Sequence, residues 1–276
     1  MTSKPKHPAT LLIVTTAINA ALYAVGAIVT GQIHSPWGMG QFRPAVVIPA
    51  FFATIFGPWV GGIGAALGTL IADSVSHGEL YIGSLIAAVP GNFIGFFMFG
   101  YVLKRKFSWT RFITIANVTL IVANLIVAFL YVFAFKLLYA NLPFFTALSS
   151  DALVMLSIGL TIFWFVTMLP FVLLVTPPLI VAVSNAFPSI VADDVRQSTL
   201  KELPRRSFAL SMLVPGIAMV LIGLATTYTV FGTYLSTNFE TSYFPSAVMT
   251  LLQLLFYGSG IVLSAMGIIV FVRKKQ

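Results

Sequence analysis

Chemistry needs side chains that ionise, coordinate or attack, and this sequence has few of them. Its 276 residues include three histidines, seven acidic residues and no cysteine. Without cysteine there is no disulfide, thiolate nucleophile or Cys-based metal site. His7, His34 and His77 fall in no HxxxH or HExxH spacing, so no pair of metal ligands shares a helix face. No lysine follows a glycine, so the G-K-[ST] ending of a phosphate-gripping loop is missing and the chain does not hydrolyse ATP by that route. No nucleophile, base and orienting group stand at a readable spacing, and no paired acids interrupt the apolar runs as a proton relay would. The expectation is a non-enzyme without metal or cofactor. What the apolar runs do contain is Asn92 and Asn124, and an amide inside lipid has to face the protein interior.

The elements that position these residues are set by hydropathy. The chain is 59% hydrophobic and 8% charged, with a mean hydropathy of +1.00, well outside the soluble range. It reads as an all-α polytopic membrane protein of the cell membrane, with apolar runs near the roughly 20 residues a helix needs to cross the hydrocarbon. Clear spans cover residues 9–31, 80–103, 112–138, 150–183, 207–234 and 245–272. The first run has no small-x-small cleavage site and reads as a retained helix, not a signal peptide. The net charge of +8 raises the question of which membrane face holds it, and no nucleic-acid partner is expected.

Between the first two clear spans lies FRPAVVIPAFFATIFGPWVGGIGAALGTLIAD, residues 42–73, apolar yet crowded with glycine and proline. A single helix of about 30 residues would be roughly 45 Å long. Pro58 disfavours helix in the residue before it and lacks a donor N–H. The stretch therefore reads as a hairpin of two short helices, 44–57 and 58–73, reversing at Gly57-Pro58. At about 14 and 16 residues, neither spans the bilayer alone. That gives eight helices with both termini cytoplasmic. The cytoplasm then holds 13 of the 15 basic residues, leaving Arg43 and Lys136 outside. A seven-helix arrangement with the N-terminus outside would place 12 there, so charge alone separates the two weakly. Gly57, Gly61, Gly64, Gly68 and Ala72 form one smooth stripe, as do Ala87, Gly91 and Gly95. Such stripes serve either packing within the fold or a partner.

The segments AINAALYA, FRPAVVIPAFFATIFGPWVGG, GTLIAD and VPGNFIGFFMFGYVLKRK resemble the substrate-binding S components of energy-coupling factor (ECF) transporters, over roughly residues 9–190. The resemblance implies a six-helix core over 1–190, binding a vitamin or related micronutrient with high affinity near its outer end. It also implies docking on a transmembrane coupling subunit that carries two ATPases, with Ala17, Ala20, Ala21 and Ala24 on the docking face. The chain departs from that pattern in a connector, 191–206, which reads as solvated, and a two-helix extension, 207–276. The competing reading is an accessory subunit of a larger membrane complex with no solute of its own.

A capture site for a planar heterocycle needs aromatic faces and a few convergent polar groups. On the outer half of this topology the candidates are Trp37, Arg43, Asn92, Asn124, Tyr131 and Trp164. Arg43 either binds a carboxylate or phosphate of the solute or reaches to lipid headgroups. His34 and His77, on the same side as Asp73 and Glu79, are either mouth residues or solvated loop residues.

Overall fold

A computed structural model describes residues 7–138, 148–239 and 247–272. Lys4, Lys6, Arg273, Lys274 and Lys275, which the charge count places in the cytoplasm, lie outside them. The described residues form helices α1 (Ala9–Thr30), α2 (Val47–Phe56, entered through a 3-10 turn at Pro44–Val46), α3 (Pro58–His77), α4 (Val89–Arg105, entered through a π-turn at Ser84–Ala88) and α5 (Trp109–Leu138). They continue with α6 (Ser150–Ala186), the short α7 (Asp193–Arg196), α8 (Arg205–Tyr228), α9 (Val230–Phe239) and α10 (Val248–Val272). Seven of these are long and apolar enough to cross a membrane, and the apolar helix Pro44–Phe56 is the short eighth. The protein is a multi-pass integral membrane protein.

The reversal at Gly57-Pro58 follows from backbone chemistry. Gly57 adopts φ +93 and ψ −171, a conformation open essentially to glycine, and Pro58 opens α3 at a position where its missing N–H costs nothing. The two arms are unequal, however. The first helix is short as expected, but α3 continues past residue 73 to His77 and at 20 residues is long enough to span. No proline or charge stops it at Asp73, and Gly78 in a left-handed conformation ends it.

The glycine stripe on α3 is spent inside the fold. A Cβ on Gly61 would press into Ala53 of α2; Cβ atoms on Gly64 and Gly68 would press into Asn19 and Tyr23 of α1. Asn19 is fully buried and donates to the Val60 carbonyl at 2.9 Å, fixing the register of α1 on α3. Gly91 and Gly95 meet Val127 and Ala123 of α5 in the same way. This packing also sorts the alanines of α1. Ala20 and Ala24 are buried at 4% and 3% exposure, with Ala20 against Gly68 and Ala24 beside Ala72. Ala17 and Ala21 lie on the opposite, exposed face beside Ile13, Ile18 and Val25.

The connector expected to be solvated over 191–206 is exposed along much of its length but anchored to the bundle at several points. Val191 and Val195 are buried, the Asp194 carboxylate accepts from the Phe107 backbone N–H at 2.8 Å, and the Trp109 indole donates to the Thr199 carbonyl at 2.9 Å. The segment thereby straps the α4–α5 turn. Beyond it, α8 and α10 form an antiparallel hairpin that packs chiefly on itself. Gly216 and Gly223 face α10, Gly260 and Gly267 face α8, and Arg205 donates to the Val270 carbonyl at 3.2 Å. The span expected over 207–234 is broken at Thr229, where the backbone is extended between α8 and α9.

Because the chain reverses at each end of the bundle, Lys104, Arg105, Lys106, Arg111, Arg196, Lys201, Arg205 and Arg206 share the end that carries Gly57. Arg43 and Lys136 lie at the other end, with the α1–α2 loop.

Candidate functional site

At that second end a cavity of about 200 Å³ opens among α1, the α1–α2 loop, α3, the π-turn, α5 and α6. The α1–α2 loop roofs it and is firmly pinned. Phe42 N–H donates to the Ile33 carbonyl at 2.8 Å, Ser35 N–H to the Gly40 carbonyl at 2.9 Å, and the Ser35 hydroxyl to the Met39 carbonyl. The Trp164 indole donates to the Gln41 carbonyl at 3.0 Å, tying the loop to α6. Gly40, at φ +76, lets the loop run flat over the Trp164 ring, where a Cβ would come within 2.8 Å of the indole.

Of the six residues expected to bind solute, five line this cavity: Arg43, Asn92, Asn124, Tyr131 and Trp164. Trp37 does not. Its ring is buried at 6% exposure and wedges against Gly159 of α6, where a Cβ would lie 2.3 Å from the indole. Trp37 is therefore a tether for the loop, and no aromatic face of it reaches the cavity lining.

Arg43 is engaged within the fold and is not extended to headgroups. Its guanidinium pairs with the Asp73 carboxylate, donates to the Thr69 hydroxyl at 2.6 Å and to the Gln41 side-chain carbonyl at 3.2 Å. Both side chains of the pair are nearly buried, at 13% and 11% exposure. A guanidinium offers five donors in a rigid fork, which suits a joint of this kind between loop and helix.

Sequence reasoning placed His34, His77 and Asp73 on one side, and all three line the cavity; Glu79 does not. The residues it missed are Tyr23, Gln41, Tyr81, Ser84 and Met168. Tyr81 stacks flat on His77 with ring centroids 3.7 Å apart, and its hydroxyl bonds that of Tyr131 at 2.8 Å. Ser84 sits in the π-turn, and such widened turns frequently occur at functional sites. Pro90, lacking an N–H, stands at the start of α4 just beyond it and removes one regular helical bond there. The sequence carried a signal for this turn in VPGN, where proline and glycine interrupt an apolar span. Among the described residues no group of three metal-ligating side chains converges.

Comparison with known proteins gives the following. A family model described as ECF-type riboflavin transporter, S component, matches residues 8–176, more than half of the chain. A UPF0397 protein of Streptococcus agalactiae serotype Ia is 31% identical over 116 residues, which is 41% of this chain and 63% of that protein. UPF0397 proteins of serotypes V and III of the same species match to the same extent. The chain thus covers less than two thirds of the length of these relatives. No solved structure matches significantly.

Proposed function

The chain belongs to the ECF-type riboflavin transporter S component family, and from that premise we propose that it captures a vitamin-like solute in the cavity beneath the α1–α2 loop for uptake by a separate ATP-driven module. The observation that carries this reading is the cavity itself. A helix bundle that serves only as scaffold gains nothing by holding Asn92, Asn124 and Ser84 around a space among its spans, since each polar group there costs free energy to bury. A solute returns that cost by bonding to them. The described chain has no phosphate-gripping loop, so the energy comes from a partner.

The docking face proposed for that partner is the exposed side of α1, where Ala17 and Ala21 stand one turn apart and allow close helix approach. Ala20 and Ala24 are withdrawn from it by their burial on α3. The proposed arrangement has both termini in the cytoplasm, the cavity opening outward, and residues 1–190 as the solute-binding core.

The test is uptake in cells with matched variants. Ala17→Leu with Ala21→Leu abolishes uptake and leaves solute binding by the purified protein unchanged. Trp164→Ala lowers both. Wild-type uptake by the double leucine variant removes α1 from the coupling interface.

A further inference from the structure

The cavity's hydrogen-bond groups describe the solute they fit, and this inference rests on the capture function proposed above. Arg43 and Asp73 are the lysine, arginine or acidic side chains that line it among the described residues, and they neutralise one another. Three Arg43 N–H bonds go to Asp73, Thr69 and Gln41. An anionic solute that drew Arg43 away would leave the nearly buried Asp73 carboxylate without its partner, which is strongly unfavourable.

Several of the unspent groups are acceptors. Asn92 uses its N–H₂ on the Ala88 carbonyl at 2.9 Å, and Asn124 uses its own on the Met168 sulfur at 3.7 Å, which leaves both amide oxygens to the cavity. His77 Nδ1 lies 2.7 Å from the Asp73 carbonyl, an acceptor, so Nδ1 carries hydrogen and Nε2 of the neutral ring offers a lone pair. The Ser84 hydroxyl, on a side chain 1% exposed, has no partner. Unlike most serines and threonines of these helices it makes no bond to the preceding turn, and it is left for whatever occupies the cavity.

The space is small as well. A volume of about 200 Å³ falls below the roughly 300–1,000 Å³ of pockets that enclose drug-sized ligands. Tyr81 on His77 and the Trp164 ring give it flat walls.

We infer that the solute is an uncharged or cationic heterocycle of one or two rings that donates N–H or O–H groups to Asn92, Asn124 and His77 and engages the Ser84 hydroxyl. Carboxylates, phosphate esters and a tricyclic flavin do not suit this site.

The experiment is to purify the full chain in mild detergent with no solute added, denature it, and identify the released small molecule by mass spectrometry in both polarities. A compound of one or two rings, without carboxylate or phosphate and with at least two N–H or O–H donors, is expected. Recovery of an anionic compound, or of riboflavin, overturns the inference and leaves capture intact; recovery of no solute contradicts capture itself and the inference with it. Riboflavin added to the emptied protein serves as a probe, and its fluorescence is expected to stay unquenched; stoichiometric quenching overturns the size argument. Ser84→Ala separates a binding role from a structural one. Removal of an unpartnered buried hydroxyl leaves the melting temperature unchanged or raised, while retained solute per protein falls about tenfold. Unchanged retention in Ser84→Ala overturns its place in the site.

Discussion

At the residue scale the account turns on Arg43 and Asp73. Removing one partner of a nearly buried ion pair leaves the other charge uncompensated, which costs about 3–5 kcal/mol, whereas removing both is often close to neutral. Arg43→Leu is therefore expected to lower the unfolding temperature in detergent sharply, and Arg43→Leu with Asp73→Leu to recover most of the loss. A double variant no more stable than the single one would mean that Arg43 acts through Thr69 and Gln41 alone. Trp37 gives a second prediction. Gly159→Val drives a methyl group into the indole and frees the α1–α2 loop, so solute affinity measured by calorimetric titration falls about tenfold, or ~1.4 kcal/mol. These two residues also mark where sequence reading stopped. Arg43, Trp37 and Trp164 were visible as unusual groups at one end of an apolar chain. Whether each faces solute or protein depends on partners more than 20 positions away, such as Asp73 and Gly159, and no local spacing encodes that.

At the element scale the α2–α3 hairpin carries the architecture. Gly57→Ala places a Cβ in a backbone region costing about 1–3 kcal/mol, so a loss of melting temperature is expected without any change of cavity residues. The same end of the bundle holds a pH-sensitive contact. His7 packs on Phe56 with centroids 5.6 Å apart, and burial first, then the nearby Lys104 charge, push its pKa below the ordinary value. The docked state therefore favours the neutral ring. Its stabilisation is complete above the ordinary histidine pKa near 6.5 and is lost as pH falls through the lowered value. Amide protection factors of residues around His7, taken relative to intrinsic exchange at each pH, are expected to fall on acidification, and His7→Phe to abolish that fall. The hairpin was legible because glycine and proline act locally on the backbone. The full length of α3 was not, since its end at Gly78 is set by a left-handed cap and not by a break in hydropathy.

At the scale of the whole molecule, the order of the apolar elements and the shared end of the described basic loops were readable from hydropathy and charge, whereas the break at Thr229 within the span expected over 207–234 was not. The division of labour between core and extension is a separate matter. The family model ends at residue 176, the cavity draws on α1 to α6 alone, and the α8–α10 hairpin packs chiefly on itself. A chain ending at residue 190 is accordingly expected to insert and retain solute within about twofold of the full chain. Loss of binding would assign the hairpin, or the strap that Asp194 makes to Phe107, a part in holding the core. The small-residue stripes divided in a way that pattern alone does not reveal. Those on α3 and α4 are consumed by intramolecular packing, and on α1 only Ala17 and Ala21 remain exposed.

The central claim, that the cavity beneath the α1–α2 loop holds a solute, is tested most directly by native mass spectrometry of the protein released from mild detergent. The account predicts a wild-type species heavier than the bare chain by the mass of one small molecule, and loss of that species in Asn92→Leu with Asn124→Leu. A wild-type protein that carries only its bare mass, or a bound species that survives in the double variant, would contradict it.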